Sequence, residues 1–330
     1  MLILISNDLQ IDLDDSLFVG ELALDGSLRH TNGILPITIF AKKQGLKKIF
    51  VPEADAPEAA LVNDIDIYPV KNLKQLVEHL TKINFISPHI RPENWNEFDL
   101  PAYDLDMSLI KGQEFVKRAL EIAASGAHNI LMSGPPGSGK SRLAKRLPTI
   151  LSEMTIEESL ETSKIHSVAG LVLANRVLVG TRPFRSPHHT ISDAALVGGG
   201  TNPSPGEISL SHNGVLFLDE LPEFKKNVLE VLRLPMEEGS VTIARVANTF
   251  TYPAKFMLIA AMNPCPCGYF TDPKRECHCS PMQIQSYLSR ISGPLLDRID
   301  IHLEVPRLKL EHLTDKRRGE SSETIRRRVD

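Results

Sequence analysis

One octapeptide constrains this chain more than any other segment. Gly134-Pro-Pro-Gly-Ser-Gly-Lys140-Ser141 fits the pattern G-x-x-x-x-G-K-[S/T] in full. Residues 129–132 before it predict a buried strand and residues 142–151 after it predict a helix, which is the context that the pattern requires. Glycines at 137 and 139 let the backbone curl so that its N–H groups face a polyphosphate. We therefore expect a phosphate-binding loop made of Gly134, Pro135, Pro136, Gly137, Ser138, Gly139, Lys140 and Ser141.

The chemistry of such a loop follows from its last two residues. We expect the Lys140 ammonium to reach the β and γ phosphates and the Ser141 hydroxyl to ligate Mg²⁺. A second acidic element must complete the magnesium site. The apolar residues 215–218 predict a buried strand that ends in Asp219 and Glu220, and ligands bind at such strand ends in open α/β sheets. We expect Asp219 to hold Mg²⁺ through water and Glu220 to polarise an attacking water, which favours nucleotide hydrolysis.

A third apolar run, residues 258–262, ends in Asn263. An amide at the end of a buried strand can hydrogen-bond the γ-phosphate or the attacking water, so we expect Asn263 to be a catalytic residue. A plain helix or turn cap is the alternative interpretation.

Composition narrows the class of protein. The chain has 330 residues, 37 Lys and Arg against 41 Asp and Glu, and a formal net charge of −4. This balance excludes a globally basic nucleic-acid coat. No run reaches the ~18 apolar residues of a membrane span, and the amino terminus lacks the features of a signal peptide. All four cysteines lie between Cys265 and Cys279, which argues against a secreted disulfide scaffold and for the cytoplasm.

The chain is expected to form two domains. The first ~80 residues alternate between strand and helix patterns, typical of α/β or α+β structure. Residues 85–105 are interrupted by proline and asparagine, which favour irregular chain. We expect a first domain over 1–84, a linker over 85–108 and a larger α/β domain over 109–330.

The cysteines form two Cys-x-Cys pairs separated by residues 268–276. Four soft ligands in one short loop can close a tetrahedral zinc site, although the usual spacing is Cys-x₂-Cys. Reduced cysteines in a surface loop are the alternative. The zinc hypothesis assigns the ligands as Cys265, Cys267, Cys277 and Cys279.

Several segments together resemble the magnesium-chelatase-like AAA+ ATPases, and within them the ComM/YifB subfamily. The likeness covers nearly all of residues 105–305. It rests on the phosphate loop and on Gly112-Gln113, Lys117-Arg-Ala-Leu-Glu-Ile-Ala-Ala, Arg182-Pro-Phe-Arg-Ser-Pro-His-His-Thr, Leu196-Val-Gly-Gly-Gly, His212-Asn-Gly-Val-Leu-Phe-Leu-Asp-Glu-Leu, Ala261-Met-Asn-Pro-Cys-Pro-Cys-Gly and Leu288-Ser-Arg-Ile-Ser-Gly-Pro-Leu-Leu-Asp-Arg-Ile-Asp.

The resemblance implies a fold. It implies a parallel-sheet AAA+ P-loop core with flanking helices, preceded by a partial Lon-protease-like (ribosomal S5-like) α+β domain. The Lon-type catalytic lysine would fall at Leu35, and an apolar side chain cannot activate a serine, so proteolysis is disfavoured. The likeness also implies that the chain is truncated at both ends, with most of the helical lid missing. Arg326, Arg327 and Arg328 are then expected to be a solvated helix face.

The resemblance also implies function. It implies ATP and Mg²⁺ as cofactors, a hexameric ring with Arg298 inserted into the neighbouring subunit's site, and a DNA motor that promotes branch migration in recombination and natural transformation.

Arg245, in a hairpin predicted to turn near Ala247-Asn248, is either a contact to the phosphate backbone of DNA or an ordinary exposed arginine. His188 and His189 are interpreted as loop structure or partner contact. The rival functions are a chelatase motor that drives metal insertion, and a non-catalytic remnant that binds ATP or partners.

Overall fold

The computed structural model describes residues 13–91, 105–172, 178–200, 203–244, 249–270, 272–308 and 318–330. The described strands are β1 (Ser16–Phe18), β2 (Glu21–Leu22), β3 (Leu28–Arg29), β4 (Lys48–Pro52), β5 (Asp66–Val70), β6 (Ile130–Ser133), β7 (Phe184–Arg185), β8 (Gly198–Gly199), β9 (Ser204–Pro205), β10 (Gly214–Leu218), β11 (Ser240–Ala244), β12 (Thr249–Pro253), β13 (Phe256–Met262) and β14 (Ile301–Glu304).

The described α-helices are α1 (Ile34–Lys43), α2 (Ala56–Ala59), α3 (Leu73–Leu80), α4 (Glu114–Gly126), α5 (Lys140–Ala144), α6 (Ile156–Val168), α7 (Asp193–Val197), α8 (Glu207–Leu210), α9 (Lys226–Glu230), α10 (Arg233–Glu238), α11 (Pro281–Leu288), α12 (Gly293–Leu296) and α13 (Ser322–Val329). Short 3-10 helices cover Glu53–Asp55, Met107–Leu109, Leu147–Thr149 and Leu221–Glu223. Within the described ranges, no helix has both the length and the apolar character needed to cross a membrane.

The described residues divide into two compact units. The first takes its residues from 1–99 and 156–180, and the second from 100–155 and 181–330. Helix α6 therefore groups with the first unit, although the sequence assigned it to the domain over 109–330. The predicted linker over 85–108 contains residues 92–104, which lie outside the described residues.

The first unit is built on a parallel three-stranded sheet in the order β1-β4-β5. Its central strand β4 is apolar and almost wholly buried, as expected for a parallel strand covered on both faces. The register brings Phe18, Phe50 and Tyr68 side by side across the three strands. Their rings stack with centroids 4.7 and 4.9 Å apart, which supports the sheet beyond simple burial. Helix α6 packs against α1 beside this sheet.

The second unit contains a parallel five-stranded sheet in the order β14-β6-β13-β10-β7. Alternate side chains of β10 enter two different apolar layers: Val215 and Phe217 pack on one face, and Leu216 and Leu218 on the other. This two-residue period is the expected geometry of a strand buried on both faces. The predicted α/β class and parallel-sheet P-loop core are thus confirmed.

The order in which strands are added to the sheet changes sides at β6. After β6 it builds the far edge and returns to pair β13 with one side of β6, then adds β14 on the other side. Such a switch point opens a crevice outside the carboxyl ends of the strands, where ligands bind. Strands β6, β10 and β13 therefore deliver the residues that follow them to one edge.

Two predictions about local structure need correction. The helix expected over 142–151 ends at Ala144 and is followed by a separate 3-10 turn, Leu147–Thr149, because Pro148 has no N–H for the helical ladder. The expected solvated face of α13 is also wrong in part. Arg326 donates to the Thr149 carbonyl and Arg328 pairs with Glu121, while Arg327 is exposed.

Candidate functional site

The phosphate loop follows β6 and leads into α5, as the sequence predicted. Gly137 and Gly139 have φ values of 78° and 98°, a conformation that side chains with a Cβ rarely adopt. Gly134 is required for another reason, because a Cβ there would lie 2.2 Å from the Val305 carbonyl oxygen. The glycines thus set the curvature of the loop and its close approach to the residue after β14.

Lys140 is buried at the base of this loop. Its Nζ donates to the carbonyl oxygens of Gly134 and Pro135 at 2.6 and 3.2 Å, and to the Asn263 Oδ1 at 3.3 Å. Burial lowers the pKa of Lys140, and the Asp219 carboxylate opposes that shift. An ammonium group whose charge is disfavoured by burial gains from an anion at the same place.

Ser141 and Asp219 meet at the carboxyl end of β10. The Ser141 hydroxyl donates to the Asp219 Oδ2 at 2.6 Å, and the Glu220 backbone N–H donates to the Asp219 Oδ1 at 3.0 Å. A hydroxyl and a carboxylate are hard oxygen donors of the kind that Mg²⁺ prefers. The pair therefore fits the magnesium site expected from the sequence.

Glu220 has a left-handed backbone, with φ of 53°. Residues with a side chain seldom adopt this conformation, and functional sites are enriched in it. Its carboxylate is exposed and lies 3.4 Å from the Nδ1 of His189, whose ring is 4.1 Å from that of His188. Sequence reasoning missed this contact. The available signal was that both histidines closely follow β7, the strand paired with β10.

The phosphate loop, Asp219, Glu220 and Asn263 surround one cleft of about 340 Å³. A second cavity of about 890 Å³ is lined by residues before and within α4 and after β14. Gln113 lines the larger cavity, and its Nε2 donates to the Ser138 carbonyl at 3.3 Å and the Pro306 carbonyl at 2.8 Å. The smaller cleft is lined by Pro136, Gly137, Gly139, Lys140, Ser141, Arg142, Asp219, Glu220, Met262 and Asn263.

Gln113 was recognised from the sequence only as part of a matching segment. It is nearly buried, has a φ of 59° and precedes the first turn of α4. Its two hydrogen bonds tie the phosphate loop to the segment after β14. It thereby links the phosphate loop to one wall of the larger cavity.

The four cysteines converge in the loop between β13 and α11. Their sulfur atoms all lie within 4.8 Å of one another, and Cys265 is 3.3 Å from Cys267 and 3.7 Å from Cys277. A tetrahedral zinc with ~2.3 Å bonds to sulfur holds its ligands about 3.8 Å apart. The Cys265 sulfur also accepts the backbone N–H groups of Gly268 and Phe270. This geometry fits the predicted ligand set.

The electrostatics of the cluster are uneven. A hydrogen bond from the Tyr269 backbone lowers the pKa of Cys267 to about 6. The Cys279 backbone favours the Cys277 thiolate, but burial and the neighbouring sulfurs raise the pKa of Cys277 to about 12. Thiols so close together oppose one another's ionisation, and a bound cation reverses that opposition.

Arg298 is not among the described residues that line the phosphate cleft. It follows α12, forms a close ion pair with Glu237 of α10, and its Nη1 donates to the Pro294 carbonyl at 2.7 Å. The predicted role of Arg298 requires a second copy of the chain. Arg245 and the predicted turn at Ala247-Asn248 lie outside the described residues, although β11 and β12 pair antiparallel around them.

The first unit has its own buried polar network. Leu35 is fully buried and its backbone N–H donates to Glu58, so this position presents no base for a protease. Asp55 accepts the Thr31 N–H and pairs closely with His30. That pairing raises the pKa of His30, against the opposing effect of burial.

The phosphate loop, the acidic end of β10 and the polar end of β13 define the second unit as a P-loop NTPase core. Comparisons agree with this class and refine it. The family model described as "Magnesium chelatase, subunit ChlI" matches residues 106–313, and one described as "Subunit ChlI of Mg-chelatase" matches residues 1–55.

Curated relatives narrow the assignment. Competence protein ComM of Haemophilus influenzae is 45% identical over 318 residues, covering 94% of this chain and 61% of ComM. The uncharacterized protein YifB of Escherichia coli is 43% identical over 319 residues, covering 96% of this chain and 61% of YifB. The magnesium-chelatase 38 kDa subunit of Rhodobacter capsulatus is 25% identical over 173 residues, covering 48% of this chain and 49% of the subunit.

The chain belongs to the ComM/YifB subfamily of the magnesium-chelatase-like AAA+ ATPases. The expected subfamily is thus confirmed. The chain spans 61% of the length of the ComM and YifB relatives.

Proposed function

We propose that this chain is a Mg²⁺-dependent ATPase whose phosphates bind in the cleft between the phosphate loop, Asp219 and Asn263. The observation that carries the proposal is the convergence of Lys140, Ser141, Asp219 and Asn263 on that one cleft. Residues that follow three separate strands supply these groups, and the stability of the fold does not require such polar groups to lie together. The sequence pattern and the geometry agree on the same residues.

Each residue has a role in this proposal. Lys140 exchanges its carbonyl partners for β and γ phosphate oxygens, and Asn263 turns its amide to the γ-phosphate or to the attacking water. Ser141 and Asp219 hold the metal, Asp219 through water. Mg²⁺ would neutralise developing charge on the phosphates. Glu220 polarises the water, and the nearby His189 lies where it can orient that carboxylate.

We propose the larger cavity as the site of the base and ribose. A cleft of about 340 Å³ is at the lower limit for a complete ligand site, which usually measures ~300–1,000 Å³. Gln113 lines the cavity of about 890 Å³ and donates to the Ser138 carbonyl of the phosphate loop. The volume of that cavity lies within the usual range of ligand sites.

A variant of Lys140 tests the nucleotide site. Lys140→Ala should abolish ATP binding or turnover, while Lys145→Ala, an exposed lysine next to α5, serves as the matched control. Binding of a fluorescent ATP analogue in Mg²⁺ is the measurement. Wild-type affinity in Lys140→Ala would remove the phosphate site from this loop.

We propose further that the chain works as a ring, hexameric by family resemblance, that drives branch migration of DNA. The subfamily supports this, and one relative carries the name competence protein. Arg298 would enter the ATP site of the neighbouring copy, and Arg245 would contact the DNA backbone. ATP-stimulated migration of a branched DNA is the test. Failure to bind DNA at low salt, where phosphate contacts are strongest, would favour the chelatase-type motor or the non-catalytic remnant.

We also propose that Cys265, Cys267, Cys277 and Cys279 hold a structural zinc ion. The mutual approach of the four sulfur atoms supports this, since soft thiolate ligands in a tetrahedron select zinc. One zinc per chain, measured by atomic emission on protein purified under reducing conditions, is the expected result.

A further inference from the structure

The tetracysteine loop, residues 264–280, and the helix α11 that follows it contact the proposed nucleotide site at three points. The first is Gly268, which immediately follows the first cysteine pair. A Cβ on Gly268 would lie 2.6 Å from the Cδ of Pro136 and 3.7 Å from the Cγ of Asn263. Pro136 belongs to the phosphate loop, and Asn263 is the proposed catalytic amide. The loop backbone thus packs against the Pro136 ring without room for a Cβ, and a Cβ at Gly268 would be in van der Waals contact with Asn263.

The second contact runs through α11, which begins directly after Cys279. A capping box between Ser280 and Gln283 fixes the start of this helix. Its residue Tyr287 is 5% exposed, and burial raises the pKa of Tyr287 to about 12, opposed by the Asn263 backbone N–H, which donates to the phenol oxygen. The helix that follows the second cysteine pair therefore contacts the backbone of Asn263.

The third contact reaches the larger cavity. Asp272 lies between the two cysteine pairs with a fully buried side chain, and it accepts from the Nε and Nη2 of Arg307 at 3.0 and 2.9 Å. Arg307 lines the larger cavity. The loop and α11 together therefore contact the phosphate loop, the proposed catalytic amide and the proposed base site.

Hydrogen bonds and ion pairs hold the described part of the loop, among them those of Asp272 with Arg307 and of Arg275 with the Tyr269 hydroxyl. Of its four cysteines only Cys265 is buried, and Lys274, Arg275 and Glu276 between the pairs are exposed. Without a metal, nothing covalent joins the two pairs. A metal bound to four cysteines would close the loop and fix its three contacts, because a coordinated ligand set orders the chain that carries it.

We propose that metal bound to the tetracysteine loop braces the phosphate loop and Asn263, so that ATP affinity depends on metal occupancy. This inference rests on the proposed nucleotide and zinc sites. Because the coupling is a free energy between two binding sites, it is reciprocal: ATP must strengthen zinc binding by the same factor by which zinc strengthens ATP binding. A loop that zinc merely folds, without contact to the site, would leave ATP affinity independent of zinc and zinc affinity independent of ATP.

The experiment uses the 330-residue chain in two forms, loaded with one zinc and stripped by a zinc-selective chelator with Mg²⁺ in excess. Affinity for a fluorescent ATP analogue is measured in both, with circular dichroism to follow folding. We expect about tenfold weaker nucleotide binding in the stripped form, restored by zinc and not by added Mg²⁺. Zinc affinity, measured by competition with the chelator, should rise by the same factor when Mg²⁺ and ATP are present.

Two variants separate the proposed support of the phosphate loop by the tetracysteine loop from metal binding itself. Gly268→Ala keeps all four cysteines but adds a Cβ against the Pro136 ring, at a φ of 85° that residues with a side chain rarely adopt. Zinc content is therefore measured first, and the variant loaded with one zinc per chain should bind ATP more weakly than the wild type. Lys274→Ala, an exposed change in the same loop, should behave as wild type. If stripping unfolds the chain, this pair of variants decides: equal ATP affinity in zinc-loaded Gly268→Ala and wild type overturns the brace.

The remaining outcomes identify which step fails. Zinc at one per chain with the same ATP affinity in both forms overturns the inference and leaves both sites standing. Absence of zinc binding overturns the metal site and the inference with it, while ATP binding by the same protein preserves the nucleotide site. A zinc-loaded chain that binds no nucleotide overturns the proposed ATPase site itself.

Discussion

The two units place acidic residues just beyond the carboxyl ends of parallel strands, but with different partners. In the first unit, Asp55 and Glu58 follow β4, are almost fully buried and each accept a backbone N–H, from Thr31 and Leu35 respectively. In the second unit, Asp219 follows β10, is partly exposed and lines a cleft. One of its oxygens accepts the Ser141 hydroxyl, and the other accepts the backbone N–H of the next residue, Glu220.

The difference lies in which partners can leave. The N–H groups that Asp55 and Glu58 accept belong to residues 24 and 23 positions away in the chain, so these two carboxylates join distant segments of the fold. The N–H that Asp219 accepts belongs to its own neighbour and joins nothing distant. A hydroxyl rotates freely and an ammonium swings on a flexible stem, so both can exchange a protein acceptor for a metal or a phosphate. We infer that the carboxylates of the first unit stabilise structure and that those of the second serve chemistry.

The largest expected effect on ATP hydrolysis concerns Arg298, which is not one of the carboxylates compared above. Arg298→Ala should retain ATP binding and reduce hydrolysis about 10³-fold or more, because an arginine from a neighbour neutralises charge in the transition state. Glu237→Gln is the control, since it removes the partner of Arg298 in the same chain and leaves the guanidinium intact. Turnover per chain, measured across a range of protein concentrations, should rise with concentration in the wild type.

Mixing variants tests whether Arg298 acts in the neighbouring copy. Arg298→Ala and Lys140→Ala chains should together recover some activity, because one mixed interface pairs an intact phosphate loop with an intact arginine. A mixture that assembles but stays inactive would contradict the assignment. Normal hydrolysis by a monomeric Arg298→Ala chain would contradict it equally.

The next effect compares Glu220 with Glu58. Glu220→Gln should bind ATP as the wild type does but hydrolyse it about 10²-fold or more slowly, because a neutral amide is a poor general base. Glu58→Gln should leave turnover unchanged. Single-turnover hydrolysis with equal nucleotide occupancy is the measurement, and equal rates for wild type and Glu220→Gln would remove Glu220 from the role of base.

The free energy of unfolding, unlike turnover, should depend on Glu58. One oxygen of Glu58 accepts both the Leu35 N–H and the Ser167 hydroxyl. Glu58→Ala leaves both buried donors unpaired and should lower the free energy of unfolding by about 2–4 kcal/mol. Glu58→Gln keeps an acceptor oxygen and should lose much less. Chemical denaturation followed by circular dichroism measures both variants, and equal losses would show that the hydrogen bonds carry no weight.

The sequence predicted the phosphate cleft well because its residues lie in short motifs with fixed local geometry. Lys140 and Ser141 lie no more than seven residues from the glycines that shape the loop, and Asp219 and Asn263 each follow an apolar strand. Their meeting follows from strand order alone. The tetracysteine set was also predictable, since the four ligands lie within 15 residues from 265 to 279.

What the sequence did not predict depends on contacts between distant segments. His189 reaches Glu220, Gln113 reaches Pro306, and Asp272 reaches Arg307, all through side chains of ordinary composition. No local pattern distinguishes such a residue from an exposed polar one. The assignment of α6 to the first unit is of the same kind, because α6 packs on α1 across more than a hundred residues of chain.

The smallest expected effect is a pH dependence in the first unit. The hydrogen bond to Asp55 raises the pKa of His30, so the protonated form is favoured in the folded state. The stabilisation is then complete below the unfolded-state pKa of ~6.5 and is lost as pH rises through the higher folded-state pKa. Because the His30 side chain is 51% exposed, solvent screens the pair and the effect should be smaller than that of Glu58→Ala.

The test compares the free energy of unfolding at a series of pH values across that window. Wild type should lose stability as pH rises, and His30→Gln should lose this slope while keeping an amide beside Asp55. His89→Gln, also in the first unit, leaves the His30–Asp55 pair in place and should keep the slope. Stability that rises with pH through the same window in wild type, and not in His30→Gln, would mean that Asp55 favours the neutral imidazole. Asp55 would then hold His30 through a hydrogen bond to the neutral ring and not through an ion pair.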